Sequence, residues 1–408
     1  KTLAYLLPCL LRMLSAGAPV GPFCLVLLPT RELALQVAAC ADALLGAQES
    51  ASLGGWSSDP DIVASDVTTI ETSPSDALCD EMKRISAVAI WGGGARWEQL
   101  EQLRYGKRRS KQAWTEQGGS WFVAATPGRL LDLVVDEEEN GRSPLESVRV
   151  LVLDEGDRML EEGLGDQLDA LARRTATLRQ TLFFSATWRE DKVSALASRF
   201  CRSTPTVLRI GSNAPLPDSE NCSGTLGLNA NIHQRVEVFD LEGESEEELE
   251  ARKRQRLLSL LGDIFNSQSQ GNDSKALIFC TTKKFADRLV EHLVLEDCPA
   301  VAVHGNKTQR DRLWNLECFA KSDDAAPKVL VATDVLGRGL DLPLITHVFI
   351  YDFPATIEDY IHRIGRTARG IGGKGEAITF FEFSSCLPGQ AAELIVHLEA
   401  SEATVPDE

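Results

Sequence analysis

Two acidic side chains stand together where an apolar run ends: residues 151–157 read Leu-Val-Leu-Asp-Glu-Gly-Asp, with Asp154 and Glu155 as the pair. At the carboxyl end of a parallel strand, such a pair lies where open α/β sheets bind ligands. An Asp there can hold Mg2+ through water, and the adjacent Glu can orient or deprotonate an attacking water. The same residues would also suit an ordinary strand-to-helix turn with an acidic cap, and on this segment alone the two readings weigh evenly. The chain opens on Lys1-Thr2, followed by a helical pattern. This matches the end of the phosphate loop G-x-x-x-x-G-K-[ST], in which the Lys reaches the β and γ phosphates and the Thr hydroxyl ligates Mg2+. Two residues are no motif alone; they count only because further phosphate-handling segments follow in order. The loop's glycines would precede Lys1, and position 1 is not Met. The expectation is that position 1 is not the natural start, and that these 408 residues alone bind ATP poorly and hydrolyse little.

To position such groups the chain must supply strands that end beside them. Short apolar runs at 23–28, 87–91, 121–125, 148–153 and 181–184, then at 235–239, 276–279, 300–303, 329–332, 347–351 and 377–381, alternate with helical patterns. Unbroken apolar strands between amphipathic helices predict parallel sheets covered on both faces. The expected fold class is α/β, with two tandem domains, each a mostly parallel sheet flanked by helices. The first domain is expected over 1–210, a linker rich in Ser, Asn, Gly and Pro over 211–231, and the second domain over 232–408. Residues 48–75 are poor in hydrophobics and rich in Ser, Asp and Gly, which predicts an acidic, disordered surface insertion. A smaller insertion, 105–119, clusters Lys107, Arg108, Arg109 and Lys111; it could be a solvated loop or an accessory RNA contact, and the solvated loop is favoured because basic clusters are common on loops.

Composition sets wide bounds. Hydrophobic residues make up 43% and charged residues 25% of the chain, as in ordinary globular proteins. No apolar run is long enough to span a bilayer. Residues 1–12 look like a signal sequence at a glance, but no small-residue cleavage site closes the apolar stretch. Ten cysteines without a C-x-x-C pair, and few histidines, argue against a zinc site or disulfide framework and fit a reducing compartment. The net charge of −18, taken alone, counts against a nucleic-acid binder. Much of that acid is local, however. Residues 49–81 hold eight Asp and Glu without a Lys or Arg, and a second acidic run at 242–250 precedes Arg252, Lys253, Arg254 and Arg256. The local distribution therefore decides.

Further segments complete the pattern. In order they are Pro29-Thr-Arg-Glu-Leu-Ala-Leu-Gln36, Gly92-Gly-Gly94, Thr126-Pro-Gly-Arg129, Asp154-Glu-Gly-Asp157 and Ser185-Ala-Thr187. The second half adds Ala276-Leu-Ile-Phe-Cys280, His304-Gly305 with Gln309 and Arg312, the run 332–341 (Ala-Thr-Asp-Val-Leu-Gly-Arg-Gly-Leu-Asp), and the run 362–369 (His-Arg-Ile-Gly-Arg-Thr-Ala-Arg). Nine motifs in one order resemble the DEAD-box RNA helicases over nearly the whole chain. The resemblance implies two RecA-like domains, the cofactors ATP and Mg2+, and an enzyme that couples ATP hydrolysis to RNA unwinding. Lys1, Thr2, Gly339 and Asp341 then resemble the ATP contacts, with Thr2 and Asp154 holding Mg2+ largely through water. Glu155 resembles the catalytic carboxylate. Asp157, Ser185 and Thr187 resemble the hydrogen-bonded group that couples the ATP site to domain closure. Arg363 and Arg366 resemble the arginines that reach the γ-phosphate. The acid and the arginines fall in different halves, so hydrolysis is expected to require both halves to close on ATP.

The family's RNA contacts carry over to Pro29, Thr30, Arg31, Gly93, Thr126, Gly128 and Arg129, and in the second half to Thr281, Gly305, Gln309, Arg312, Thr333 and Asp334. Glycine amides, Thr hydroxyls and helix N-termini grip phosphates without reading bases, so binding is expected to ignore sequence and to prefer RNA through its 2′-hydroxyls. Gly156 replaces the usual Ala, a looser turn that costs roughly 0.5–1 kcal/mol if the position is helical. Ala368 replaces a commoner Gly, which reads as a mild change. Ser185-Ala-Thr-Trp188 is similar to a subgroup that serves ribosome assembly, which implies pre-ribosomal partners and a nucleolar location if the source is eukaryotic. A monomeric core with no membrane attachment is expected. The alternative to an unwinding enzyme is an ATP-gated RNA clamp with weak unwinding. A DNA translocase is disfavoured by the wording of 29–36 and 362–369.

Overall fold

The computed structural model describes residues 2–15, 20–45, 85–106, 120–185, 197–201, 205–208, 231–240, 243, 245–266, 274–321, 326–333, 345–368, 373–383 and 389–406. These form two compact units, one carried by the described residues up to 208 and the other by those from 231 onward. The acidic insertion expected at 48–75 lies outside the described residues, as do 107–119 of the smaller insertion and 211–230 of the expected linker.

In the first unit, β1 (Gly21–Leu27), β2 (Ile85–Ile90), β3 (Ser120–Ala125), β4 (Val150–Asp154) and β5 (Gln180–Phe184) form one sheet in the order β2-β3-β1-β4-β5. Every pairing in it is parallel. The helices are α1 (Thr2–Ser15), α2 (Arg31–Leu44), α3 (Arg96–Tyr105), α4 (Pro127–Glu139), α5 (Gly156–Glu161) and α6 (Gly165–Arg174). Side chains alternate across a strand, and β1 shows the result. Cys24 and Val26 pack with Tyr5, Leu6 and Val37 of α1 and α2. Leu25 and Leu27 pack on the opposite face with Leu130 and Leu133 of α4 and Leu168 of α6. Both faces are apolar because both are covered, which is why these strands read as continuous apolar runs.

The second unit repeats the plan. Its strands β6 (Ile232–Phe239), β7 (Lys275–Phe279), β8 (Ala300–Val303), β9 (Val329–Ala332), β10 (Ile345–Ile350) and β11 (Gly375–Glu382) take the order β6-β11-β10-β7-β9-β8. Again every pairing is parallel. The helices are α7 (Glu246–Asn266), α8 (Lys283–Leu295), α9 (Gln309–Ala320), α10 (Ile357–Ile364) and α11 (Gln390–Ala400). Leu277 and Phe279 face α9, α10 and α11, whereas Ala276 and Ile278 face α7 and α8.

Local chemistry starts these helices where the sheets need them. Thr30, Thr282, Thr308 and Thr356 cap α2, α8, α9 and α10 by accepting from the amide three residues on. At α7, the Ser245 hydroxyl accepts from Glu248 N while Glu248 accepts from Ser245 N, a reciprocal capping box. The acidic residues Glu246, Glu247 and Glu248 thus occupy a first helical turn, where they complement the helix dipole. Strand limits differ from expectation mainly at edges. β6 begins at Ile232, three residues before the apolar run at 235, because its whole length pairs with β11. Among the described residues, no helix is long and apolar enough to cross a membrane.

Candidate functional site

In the first unit, each strand delivers one motif at its carboxyl end. β1 leads into Pro29, Thr30 and Arg31, β2 into Gly92–Gly94, β3 into Thr126, Gly128 and Arg129, β4 into Asp154, and β5 into Ser185. Parallel pairing places all five ends on one edge of the sheet, with Leu27 in register with both Ala125 and Leu153. Gly93 adopts φ +97°, and an added Cβ would lie 3.1 Å from Nη1 of Arg31, so the guanidinium sits against the glycine. Gln99 fixes the glycine turn: its Oε1 accepts from Trp91 N at 3.3 Å and its Nε2 donates to Trp91 O at 3.1 Å. Arg129 Nη1 donates to Gly94 O at 3.4 Å, which ties the β3 and β2 ends together. The edge therefore offers backbone, hydroxyl and guanidinium donors side by side, as phosphate and sugar contacts require.

The acid pair has a distinct geometry. Asp154 and Glu155 are both buried. Glu155 precedes α5 with φ 55° and ψ 43°, the left-handed region, and makes no side-chain capping bond. An L-residue held there costs roughly 1–2 kcal/mol. The acidic-cap alternative is thereby removed, because the side chain does not cap. Backbone strain of this kind collects at functional sites. Glu155 N donates to Phe184 O at 2.9 Å, which anchors the turn to β5. Beyond it, the Ser185 hydroxyl donates to Asp157 Oδ2 at 2.9 Å. Gly156 is the first residue of α5, and a Cβ there would meet Leu153 Cβ at 3.6 Å and Phe183 Cδ1 at 3.9 Å, which is ordinary contact.

Sequence reasoning missed Tyr5. This residue of α1 is fully buried, and its hydroxyl donates to Asp154 Oδ2 at 3.1 Å. The Thr2 side chain hydrogen-bonds the same tyrosine hydroxyl. Burial, reinforced by the Asp154 charge, holds the phenol well above its usual pKa, so it is a neutral donor. The helical spacing of Thr2 and Tyr5, three residues apart, was the available signal. Thr2 and Asp154 are oxygen donors joined through one hydroxyl. A hard cation such as Mg2+ takes oxygen ligands, so this donor set fits it.

The second unit places its motifs on one edge as well. β7 leads to Thr281, β8 to His304 and Gly305, β9 to Thr333, and β10 to Asp352. Asp352 was not singled out from the sequence, although an Asp closing an apolar run was its signal. Its Oδ2 accepts from both Thr281 N at 2.8 Å and Thr281 Oγ1 at 3.1 Å, while its main-chain O accepts from Arg363 Nη1 at 2.7 Å. The buried Lys253 lies 3.5 Å from Asp352 Oδ1 and 3.4 Å from Glu382 Oε2. Arg363 packs over the Phe279 ring at 5.3 Å. Arg366 Nε donates to His362 O at 3.2 Å. Both arginines are buried, at 1% and 6% exposure, which excludes a solvated surface pair.

Val303 and Ala332 are in register, so His304 and Thr333 leave adjacent strands together. His304 Nε2 lies 3.0 Å from Asp287 Oδ1. Its Nδ1, the Thr333 hydroxyl, and both amide atoms of Gln309 are buried with no hydrogen-bond partner among the described residues. Each such group costs about 1–3 kcal/mol, and a cluster of them marks a place where a polar ligand can satisfy them. His304 was read in the sequence only as part of a motif. Gly305 lies in the turn after β8, and Gln309 and Arg312 lie on α9, so the geometry gathers all of these except Asp334 at one end of the sheet. Lys1, Thr187, Asp334, Gly339 and Asp341 lie outside the described residues.

Two family descriptions match the chain in order: DEAD/DEAH box helicase over residues 61–196, and helicase conserved C-terminal domain over residues 252–370. The ATP-dependent RNA helicase DBP2 of Candida glabrata is 35% identical over 413 residues, which cover 100% of this chain and 60% of that protein. The DEAD-box ATP-dependent RNA helicase 20 of Arabidopsis thaliana is 35% identical over 386 residues, 93% of this chain and 60% of that protein. The chain thus spans about 60% of the length of these curated relatives. Among solved structures, S. cerevisiae Dbp5 bound to RNA and ADP BeF3 aligns with a TM-score of 0.65 at 23% identity, covering 99% of this chain and 81% of that one. Mss116 bound to ssRNA and UDP-BeF aligns with a TM-score of 0.68 at 24% identity, covering 100% of this chain and 68% of that one. At such identities the likeness establishes the fold, two parallel-sheet α/β units of RecA-like type. Matched in order by both family descriptions, and along its length by named helicases, the chain belongs to the DEAD-box family of ATP-dependent RNA helicases.

Proposed function

We propose that the protein carrying this chain hydrolyses ATP with Mg2+ and couples that hydrolysis to local RNA unwinding or remodelling of ribonucleoproteins. The observation that carries the reading is the turn after β4. A buried Asp154 is followed by Glu155 in a strained left-handed conformation whose side chain caps nothing. Thr2 and Asp154 would hold Mg2+, which would supply charge neutralisation at the phosphate oxygens. Lys1, Gly339 and Asp341 contact the nucleotide. Glu155 orients or deprotonates the attacking water. Arg363 and Arg366 stabilise the charge that develops on the transferred phosphoryl group. Asp157 with Ser185 and Thr187 couples the ATP site to domain closure. The acidic groups belong to one unit and the arginines to the other, so hydrolysis depends on both.

RNA is held through its backbone by Pro29, Thr30, Arg31, Gly93, Thr126, Gly128 and Arg129, and by Thr281, Gly305, Gln309, Arg312, Thr333 and Asp334. Dbp5 and Mss116, whose folds this chain shares, are described as bound to RNA and to nucleotide analogues, which supports that assignment. The Ser185-Ala-Thr-Trp188 sequence supports a role in pre-ribosomal RNA processing and a nucleolar location, which imaging of the tagged protein tests.

The decisive experiment uses the full-length protein with a short RNA duplex. RNA stimulates its ATPase, strands separate only with ATP, and Glu155→Gln lowers kcat by at least about 100-fold. Turnover indifferent to RNA overturns the reading. ATP-dependent RNA retention without strand release replaces unwinding with the clamp.

A further inference from the structure

We propose that Tyr5 is a positioning residue for the metal-holding carboxylate: its hydroxyl links Thr2 to Asp154 and fixes the orientation in which Asp154 meets Mg2+. The proposal rests on the nucleotide-site reading above and adds a residue that reading does not contain. Tyr5 stands on α1, one helical turn after Thr2, and its ring is fully buried against Phe184, with centroids 5.1 Å apart and planes at 63°. Phenylalanine would fill that space and keep the edge-on contact. The hydroxyl is therefore not needed for packing, and burying one without a partner is costly. Here it has two partners, and they are the two side chains assigned to the cation: Asp154 Oδ2 at 3.1 Å and Thr2.

The chemistry follows from the donor count. A carboxylate has two oxygens, and the phenol's hydrogen bond to Oδ2 restricts the orientation in which Asp154 can meet the cation or its water shell. Partners of this kind orient metal-binding carboxylates, and losing one typically lowers metal affinity by about 10-fold or more. Tyr5 touches neither nucleotide nor water in this role and acts only through Asp154 and Thr2.

The test is Tyr5→Phe in the full-length protein, read by fluorescence of a labelled ADP titrated with Mg2+, and by electron paramagnetic resonance of Mn2+ in its place. We expect the half-saturating Mg2+ concentration to rise about 10-fold, with ADP affinity at saturating Mg2+ and the melting temperature (within about 3 °C) unchanged. In an Asp154→Asn background the Tyr5 substitution should have no further effect on Mg2+ dependence, because its target carboxylate is gone. A Mg2+ dependence equal to the parent's, or an undiminished effect in the Asp154→Asn background, overturns the role of Tyr5 and leaves the nucleotide site standing. If the parent protein binds no ADP at any Mg2+ concentration, the nucleotide-site reading fails and the proposal fails with it, whereas ADP binding by the parent that ignores Mg2+ overturns the proposal alone.

Discussion

At the scale of single residues, two substitutions in otherwise intact motifs have opposite structural meanings. Gly156 occupies the first turn of α5, where no positive φ requires glycine and a Cβ would find ordinary contacts. Gly156→Ala should stabilise the first unit by about 0.5–1 kcal/mol through reduced freedom of the unfolded chain, without lowering ATPase. Denaturant titration of both proteins checks this; a loss of stability would mean the turn needs glycine's freedom. Ala368 is the reverse case. It adopts φ 55°, a region that glycine enters without the Cβ penalty. The change that reads as mild in sequence is strained in structure. Ala368→Gly should raise stability by roughly 1 kcal/mol, measured by the same titration.

At the scale of elements, α11 is fastened to the second unit by a buried polar cluster. Tyr360 OH donates to Gln234 Oε1 at 3.0 Å, His397 Nε2 lies 3.1 Å from the same oxygen, and Gln234 Nε2 donates to Ser401 Oγ at 3.0 Å. These contacts join β6, α10 and α11. Burial lowers the His397 pKa to about 4, so the folded unit holds the ring neutral, whereas the unfolded chain protonates it near pH 6.5. Below that value the unfolded state binds the extra proton. The stabilisation is complete above about pH 6.5 and is lost as pH falls toward 4. The shift corresponds to at most about 3 kcal/mol, visible as a falling melting transition on acidification. His397→Gln should flatten that dependence between pH 6.5 and 4. An unaltered slope would assign the acid sensitivity to other groups.

At the scale of the molecule, net charge and RNA grip point in opposite directions. The chain carries −18, yet the site edges offer arginines, glycine amides and Thr hydroxyls. Of the proposed RNA contacts within the described residues, only Arg31, Arg129 and Arg312 are cationic. Three phosphates neutralised on a single strand give a slope of log affinity against log salt near −2. A slope steeper than about −5 would show that basic residues elsewhere, such as Lys107, Arg108, Arg109 and Lys111, carry much of the binding. Part of the acid has a local structural use: Glu246, Glu247 and Glu248 start α7, and Glu137 is buried against Arg104, whose Nε donates to Glu137 Oε2 at 2.9 Å. Acid used in this way says little about the ligands a protein binds.

The sequence by itself determined the strand and helix order, the parallel sheets and the motif at the end of each strand. Those features follow from local rules: apolar runs need cover on both faces, and Thr residues such as Thr30, Thr308 and Thr356 cap the helices that follow. The candidate residues were legible as types, in an order. Only tertiary structure decided what each one touches. Tyr5 and Asp154 are 149 positions apart, and Thr281 and Asp352 are 71 apart, so no spacing rule could pair them. The left-handed turns at Glu155 and Ala368 are likewise invisible in residue type, because the packing of the neighbouring strands and helices imposes them. The residue types proposed for phosphate chemistry were legible in sequence; the hydrogen bond to Asp154 comes from a hydroxyl that reads, in sequence, as one more core aromatic.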